Sequence, residues 1–375
     1  MSPVEVSTVR GRRDLDAFIA LPYELHRDDP AWTPPLRRDV RTLLSPTKNP
    51  FHEHAEVAHY LARRDGRVVG RITAIHNRLH NEFHGDRVGF FGFFESVDDP
   101  AVAHALLERA EEFLRARGLS VMRGPASFST NDECGLLVDG FETPSVLMMP
   151  HNPGYYPALL ESAGFMKIKD LLVYQSTHDR LPERLVRGAE LLQKRQKIST
   201  RNLDMKRFEQ EVELIKQLYN AGWERNWGFV PMTDEEIDFL AAQLEEVVVP
   251  ELVCFAEKDG KTIGFAAALP DLNVALRKNR SGRMFPGILK VLWAMRRIDR
   301  VRILLLGTVP EWRGKGVDVL LYKRIWEDGT RKGYRWGEAG WILEDNHAMR
   351  NGLTHMGFEV YKTYRLYDRP IGSAR

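Results

Sequence analysis

The chain has 375 residues, 43% of them hydrophobic and 28% charged, with a formal net charge of +2. That profile excludes a disordered chain and a global field that recruits nucleic acid, and it allows two domains. The two cysteines, Cys134 and Cys254, stand far apart, which argues against a disulfide framework and fits a reducing cytoplasm. The opening residues lack a basic stretch followed by an apolar one, so no secretory signal is expected, and no apolar window is long enough for a transmembrane helix.

Residues 4–9 alternate as a strand does, and 14–26 have helical spacing. Two strand-like runs, 58–64 and 68–75, flank Asp65-Gly66, a hairpin signal. A strand at 88–95, a helix at 101–117, a strand at 120–123 and a helix ending at Gly164-Phe165 follow. After a basic helical stretch the landmarks return: a strand at 197–204, a helix at 205–219 and the loop Asn226-Trp227-Gly228-Phe229. A second hairpin turns at Asp259-Gly260, and a strand at 302–308, a helix at 318–331, a strand at 334–337 and a helix ending at Gly357-Phe358 complete the set. Gly66 and Gly260 lie 194 residues apart, as do Gly70 and Gly264, and the two Gly-Phe pairs lie 193 apart. Matching hairpins and helix ends at nearly one offset predict two domains of one topology, 1–178 and 195–375, joined by a helical connector at 179–194. Each reads as an α/β fold, a mixed central sheet flanked by helices.

Chemistry concentrates at Val309-Pro310-Glu311-Trp312-Arg313-Gly314-Lys315-Gly316-Val317, between the predicted strand at 302–308 and the helix at 318–331. A turn through Arg-Gly-x-Gly into a helix aims unpaired backbone N–H groups and the positive end of the helix dipole at one spot. Glycine lets an anion reach that backbone and accepts positive φ. The plainer reading is a basic turn; its context favours a pyrophosphate cradle.

This element order and turn resemble the GCN5-related N-acetyltransferase (GNAT) superfamily, across both halves. The family pattern Arg/Gln-x-x-Gly-x-Gly/Ala falls on Arg313, Gly316 and Asp318, with Asp318 where a small residue is usual. In the first half the matching turn is Ser96-Val97-Asp98-Asp99-Pro100, acidic and without Gly-x-Gly. That half is expected to be degenerate, a scaffold and a wall of the acceptor site. Asn346, eleven residues before Gly357, matches the family's downstream helix, and Leu353 stands where a tyrosine often serves as general acid; Tyr361 and Tyr364 are the nearby substitutes.

More narrowly, Asn49-Pro50-Phe51-His52-Glu53-His54-Ala55-Glu56, His80-Asn81-Glu82-Phe83-His84-Gly85, Asn131-Asp132-Glu133-Cys134-Gly135 and Glu344-Asp345-Asn346 resemble bacterial tandem-domain acyltransferase-like proteins, some linked to ceramide synthesis. The resemblance implies an acyl-CoA cosubstrate, either acetyl-CoA or a long-chain acyl-CoA. Gly307, Thr308, Val309, Arg313, Gly314, Lys315, Gly316, Val317, Asp318 and Asn346 are the expected donor-binding residues. Glu344, Asn346 and Tyr361 are the catalytic candidates, with Glu344 as base. Asn131, Glu133, Trp227 and Glu338 are candidates for the acceptor side.

Each has a plainer alternative. Asp345 or Asn346 suits a helix cap, Asn131 to Gly135 a solvated loop, and Cys134 a buried thiol. His76, His80 and His84 would share a face if 76–84 were one helix, but a polar surface or acceptor-contact role is preferred and no metal is assigned. The stretch 277–297 carries apolar residues at 288, 291, 292 and 295 among Lys290, Arg296 and Arg297. That pattern suits a helix on an anionic bilayer, a tunnel wall for a long acyl chain or a core-packed helix. The leading expectation is acyl transfer from CoA to a primary amine in the cytoplasm, sharpened to a long-chain acyl group and a sphingoid-type base, with peripheral contact at the inner membrane through 285–297. Acetylation of a small polar amine and a non-catalytic acyl-CoA binder are the alternatives. Nucleic-acid binding ranks last, because aromatic residues are sparse in the basic stretch.

Overall fold

The computed structural model describes residues 2–177, 181–223 and 226–372. In chain order these form β1 (Glu5–Thr8), α1 (Gly11–Leu25), α2 (Arg37–Leu43), α3 (Phe51–His54), β2 (Ala55–Arg64), β3 (Arg67–Asn77), α4 (Arg78–His84), β4 (Val88–Ser96), α5 (Pro100–Arg115), β5 (Val121–Gly124), β6 (Ala126–Ser127), β7 (Glu133–Cys134), β8 (Leu136–Asp139), α6 (Tyr156–Ser162) and β9 (Met166–Ser176). Then come α7 (Glu183–Gln196), β10 (Ser199–Asn202), α8 (Phe208–Trp223), α9 (Asp234–Leu244), β11 (Val253–Lys258), β12 (Lys261–Pro270), α10 (Asn273–Leu276), α11 (Gly287–Met295), β13 (Arg300–Thr308), α12 (Val317–Lys332), β14 (Trp336–Leu343), α13 (His347–His355) and β15 (Glu359–Pro370). None of the helices among the described residues is long and apolar enough to cross a membrane. Residues 179 and 180 of the expected connector, and 178 before it, lie outside the described residues; the rest of the connector falls largely on α7.

The elements assemble into two compact units that interleave along the chain. The first comprises Met1–Leu171, Asn273–Met295 and Lys362–Arg375; the second comprises Leu172–Leu272 and Arg296–Tyr361. The first unit therefore takes α10, α11 and most of β15 from the second half of the sequence.

In the first unit β1, β2, β3 and β4 pair antiparallel in sequence, β4 pairs parallel to β5, and the end of β15 runs antiparallel to β5. Helix α5 packs Val102, Ala103, Leu106, Leu107, Ala110 and Leu114 into a core shared with Ile72, Phe91 and Met122. These residues recur at helical spacing, so burying that one face holds the helix to the sheet. The borrowed pieces are hydrogen-bonded in place. Asn273 Nδ2 donates to Ser145 O at 2.9 Å, Arg37 N donates to Gly282 O at 2.9 Å, and Arg123 makes a two-pronged contact with Asp368, both bonds 2.8 Å.

The second unit repeats the plan. β10, β11, β12 and β13 pair antiparallel and β13 pairs parallel to β14, with Leu320, Leu321 and Ile325 of α12 buried in its core. The duplication extends to dihedrals: Asp65 and Gly66 have φ of 49° and 75°, and Asp259 and Gly260 have 50° and 76°. Two successive positive φ values give the hairpin turn whose twist matches that of the strands. Gly70 and Gly264 are matched as well. A Cβ on Gly70 would meet Leu106 Cδ1 at 2.7 Å, and one on Gly264 would meet Gly307 O at 2.9 Å.

Residues 76–84 are not one helix. Asn77 caps α4 by accepting from His80 N at 3.1 Å, which leaves His76 on β3 facing Glu56, so the condition for a shared three-histidine face is not met.

Candidate functional site

The site of the second unit begins where two strands part. β13 and β14 pair over four positions, from Arg300 with Trp336 to Ile303 with Ala339, and the pairing stops there. On its other side β13 stays bound to β12 through Thr308, apart from a bulge at Leu304 between the Ala267–Leu305 and Ala268–Ile303 pairs. A bulge bends the strand carrying it, and bulges recur beside active sites. Arg302 Nη2 donates to Gly340 O at 2.9 Å, at the point of divergence. Residues 304–308 are only half-buried, so one side of their backbone is left for an extended ligand to pair with. Gly307 and Thr308 lie on this free stretch, and Val309 follows it.

Beyond β13 the chain makes a short 3₁₀ turn, Pro310–Trp312, and passes through Arg313, Gly314 and Lys315, all exposed, to Gly316. Gly314 and Gly316 have φ of 69° and 83°. A Cβ would meet nothing within 4 Å at Gly314 and only Leu192 Cδ2, at 3.3 Å, at Gly316. Glycine is therefore required here by the dihedral angles rather than by crowding. Gly316 is the N-cap of α12 and supplies no side-chain cap. The first-turn N–H groups of Val317, Asp318 and Val319 have no intrahelical acceptor, and Leu320 N reaches Gly316 O only at 3.4 Å. Such an end accepts an anion. Asp318 lies in this turn; its charge adds to burial, the larger cause, in pushing the Tyr322 hydroxyl upward.

The corresponding places in the first unit are closed by its own chain. Asp99 caps α5 by accepting from Ala101 N at 2.8 Å and also pairs with Arg64 at 2.6 Å. Past Phe90, where β4 and β5 cease to pair, β6 lies against β4: a Cβ on Gly92 would fall 2.0 Å from Ala126 O, and Phe93 N donates to Ser127 Oγ at 3.1 Å.

The structure brings Glu338 and Tyr361 together. Glu338 is 1% exposed and accepts from the Tyr361 hydroxyl at Oε2, while Arg302, 4% exposed, lies with Nε 3.6 Å from Oε1. Trp336 meets Tyr361 edge-on at 5.9 Å. Glu344 and Asn346 stand farther on, just past β14. Glu344 is half-buried, and its carbonyl accepts from Arg350 Nη1 at 2.5 Å. Asn346 Oδ1 accepts from Met349 N at 3.2 Å, so this residue is the cap of α13. Leu353 is fully buried in the core.

Of the acceptor-side candidates, Trp227 belongs to the second unit, half-buried in the loop after α8, whereas Asn131 and Glu133 belong to the first. Asn131 N donates to Ser129 Oγ at 3.1 Å, and Glu133 sits exposed on β7 opposite Ser127. Cys134 is buried. Arg302 and Arg350 were not singled out from sequence. A charged residue inside the apolar run 301–306 was the available signal for the first.

No family profile matches the sequence. Two curated relatives match along nearly all of it. Protein YghO of Escherichia coli is 36% identical over 373 residues, 98% of this chain and 95% of that protein. Bacterial ceramide synthase of Caulobacter vibrioides is 37% identical over 382 residues, 98% of each. Among solved structures, a tandem GNAT protein from the clavulanic acid biosynthesis pathway superposes with a TM-score of 0.59 at 15% identity, covering 99% of this chain and 100% of that one. A GCN5-related N-acetyltransferase from Sphaerobacter thermophilus gives 0.53 at 14%, covering 100% and 98%.

Proposed function

The chain belongs to one family with bacterial ceramide synthase of Caulobacter vibrioides and protein YghO of Escherichia coli and has the fold of tandem GNAT proteins, and from that premise we propose that it transfers an acyl group from a CoA thioester to a primary amine. The observation that carries the proposal is the parting of β13 and β14 directly before the glycine turn. The free backbone of 304–308 holds the pantetheine arm in extended form. The pyrophosphate rests on the N–H groups of Gly316, Val317 and Asp318, with Arg313 and Lys315 beside it.

The amine nitrogen attacks the thioester carbonyl carbon, a C–N bond forms, and the C–S bond breaks. The amine must lose one proton, and Glu344, just past β14, is the candidate base to receive it. The Tyr361 hydroxyl, which donates to Glu338, is the candidate to return a proton to the departing thiolate. Backbone N–H groups along the free edge of β13 meet the developing oxyanion.

Two observations support a long-chain acyl group and a sphingoid-type amine. One is the relative named bacterial ceramide synthase, matched over 98% of each chain. The other is α11, which exposes Phe285 just before it, then Leu289, Leu292 and Trp293 (77%, 60%, 53% and 56% exposed) beside Lys290. Arg296 and Arg297, also exposed, follow directly in the chain. A basic helix bearing Trp and Leu suits an anionic bilayer surface, where such an amine resides.

Calorimetry with CoA tests the cradle: Gly316→Glu is expected to weaken binding by at least tenfold through backbone strain and charge repulsion, and unchanged affinity would overturn it. Thiol release tests the substrate. Palmitoyl-CoA with sphinganine is expected to outpace acetyl-CoA with a small polar amine, and the reverse order would transfer the proposal to small-amine acetylation. Asp318 and Leu353, where the family usually has a small residue and a tyrosine, favour a binder without turnover. Thermal stabilisation by acyl-CoA with no thiol released from any amine would establish that reading instead.

A further inference from the structure

Away from the glycine turn, the first unit holds a buried polar cluster to which the transferase reading gives no role. His26 caps the end of α1, and His151 lies in the loop before α6, their ring centroids 6.0 Å apart. Each ring is backed by a carboxylate: His26 Nε2 is 3.0 Å from Glu95 Oε2, and His151 Nε2 is 2.6 Å from Asp29 Oδ2. Their side chains are 1% and 5% exposed, and Trp32 stacks on His26 at 5.1 Å. His151 Nδ1 is buried without a hydrogen-bond partner. One donor atom from each of His26, Asp29 and His151 lies within 4.8 Å of the other two, the sole such trio of metal-ligating residues among the described residues.

The surroundings hold these groups in place. Glu95 also accepts from the Tyr156 hydroxyl at 2.7 Å and lies 3.6 Å from Arg71. The guanidinium of Arg280, from the segment that the first unit borrows, donates to the carbonyls of His26, Arg27, Asp29 and Trp32 at 2.8–3.0 Å. One side chain thus clamps the whole turn that carries His26 and Asp29.

An imidazole that donates one N–H to a carboxylate, as His26 Nε2 can to Glu95, has its tautomer fixed with the lone pair left on the other nitrogen. Metal-binding histidines are commonly prepared in this way. Between His151 Nε2 and Asp29 a metal ion would take the place of the shared proton and be ligated by both. We propose that His26, Asp29 and His151 form a binding site for a divalent transition-metal ion of the zinc type. Two imidazoles and one carboxylate suit zinc or cobalt, whereas magnesium and calcium favour oxygen donors throughout. Three protein ligands leave a fourth position for water or for a ligand atom. Glu95 serves as the outer carboxylate that orients His26. The site rests on nothing in the acyl-transfer reading, and the two stand or fall separately.

Cobalt titration of the full-length protein, stripped beforehand with a chelator, tests the proposal. One equivalent of Co²⁺ is expected to bind with visible d–d bands, and Zn²⁺ is expected to displace it. Asp29→Asn and His151→Gln are expected to weaken binding at least tenfold, while His84→Ala leaves it unchanged. Less than about a tenth of an equivalent bound by the wild-type chain would overturn the site, whatever the folding of the variants. Unchanged binding in both variants, or equal loss in His84→Ala, would overturn the assignment to this trio.

Discussion

Glu338 lies within β14 and Glu344 six positions on, just past its end, and their surroundings differ. Glu338 is sealed against Arg302 and Tyr361, so neutralising it takes the facing carboxylate charge from a buried guanidinium that keeps its bond to Gly340 O. Glu338→Gln is expected to destabilise the chain by roughly 3 kcal/mol in chemical unfolding, the usual cost of breaking a buried ion pair from one side. Glu344→Gln is expected to leave stability within about 0.5 kcal/mol and to lower the thiol-release rate on the order of a hundredfold or more; a stable, fully active variant would remove Glu344 as base. His80 gives a pH prediction. Burial, aided by the charges of His84 and Arg123, pushes its pKa from 6.5 down to about 3. Below pH 6.5 the unfolded chain takes up a proton that the folded chain refuses, so stability falls from there toward pH 3. The expected loss at pH 5 is on the order of 2 kcal/mol. His80→Asn is expected to show a correspondingly shallower decline in denaturant midpoint between pH 6.5 and 5. None of these surroundings was legible from spacing. Arg302, Glu338 and Tyr361 sit on three different strands, and His26 meets His151 across 125 residues of chain.

At the level of elements, the sequence was most informative where structure is local. The Asp-Gly hairpins, the glycine turn and the two Gly-Phe helix ends depend on neighbouring dihedrals, and Gly164 and Gly357 indeed take φ of 83° and 88° after their helices. Faces were harder to read. Apolar positions 288, 291, 292 and 295 gave α11 one stripe, yet the buried positions are Gly287, Val291 and Ala294, while Leu289, Leu292 and Trp293 point outward. Glycine and alanine contribute little to an apolar pattern although they let a helix pack closely, which is why the stripe was misplaced. The outward face yields a prediction that separates membrane contact from fold. Leu289→Glu combined with Trp293→Glu is expected to reduce sedimentation with phosphatidylserine vesicles at least tenfold, leaving CoA affinity and melting temperature unchanged. Equal sedimentation of variant and parent would dissociate α11 from the bilayer.

On the scale of the whole molecule, internal repetition made the two-fold plan readable, but not the exchange of segments within it. Residues 359–370 form a strand in the structure, and nothing local in their sequence says which sheet takes it in. The ion pairs show what the first unit gains. Asp170, 9% exposed, is bridged by Arg365 Nε at 2.7 Å and by Lys167 Nζ at 2.7 Å, Glu111 holds Arg369, and Asp368 holds Arg123. Burial raises the Asp170 carboxyl, but the Arg365 and Lys167 bonds outweigh it and hold its pKa below the usual range. A fragment ending at residue 178 would deprive Asp170 of Arg365, Glu111 of Arg369 and β5 of its β15 neighbour, and would uncover the Tyr367 site in the core. It would also lose Arg280, which pins the turn bearing His26 and Asp29. That fragment is therefore expected to show no cooperative thermal transition, although it contains a complete copy of the repeating topology. A cooperative melt within a few degrees of the parent's would mean that the borrowed strand and helix are dispensable, since losing buried ion-pair partners and uncovering the core together cost several kcal/mol in a domain whose whole stability is only about 5–15 kcal/mol.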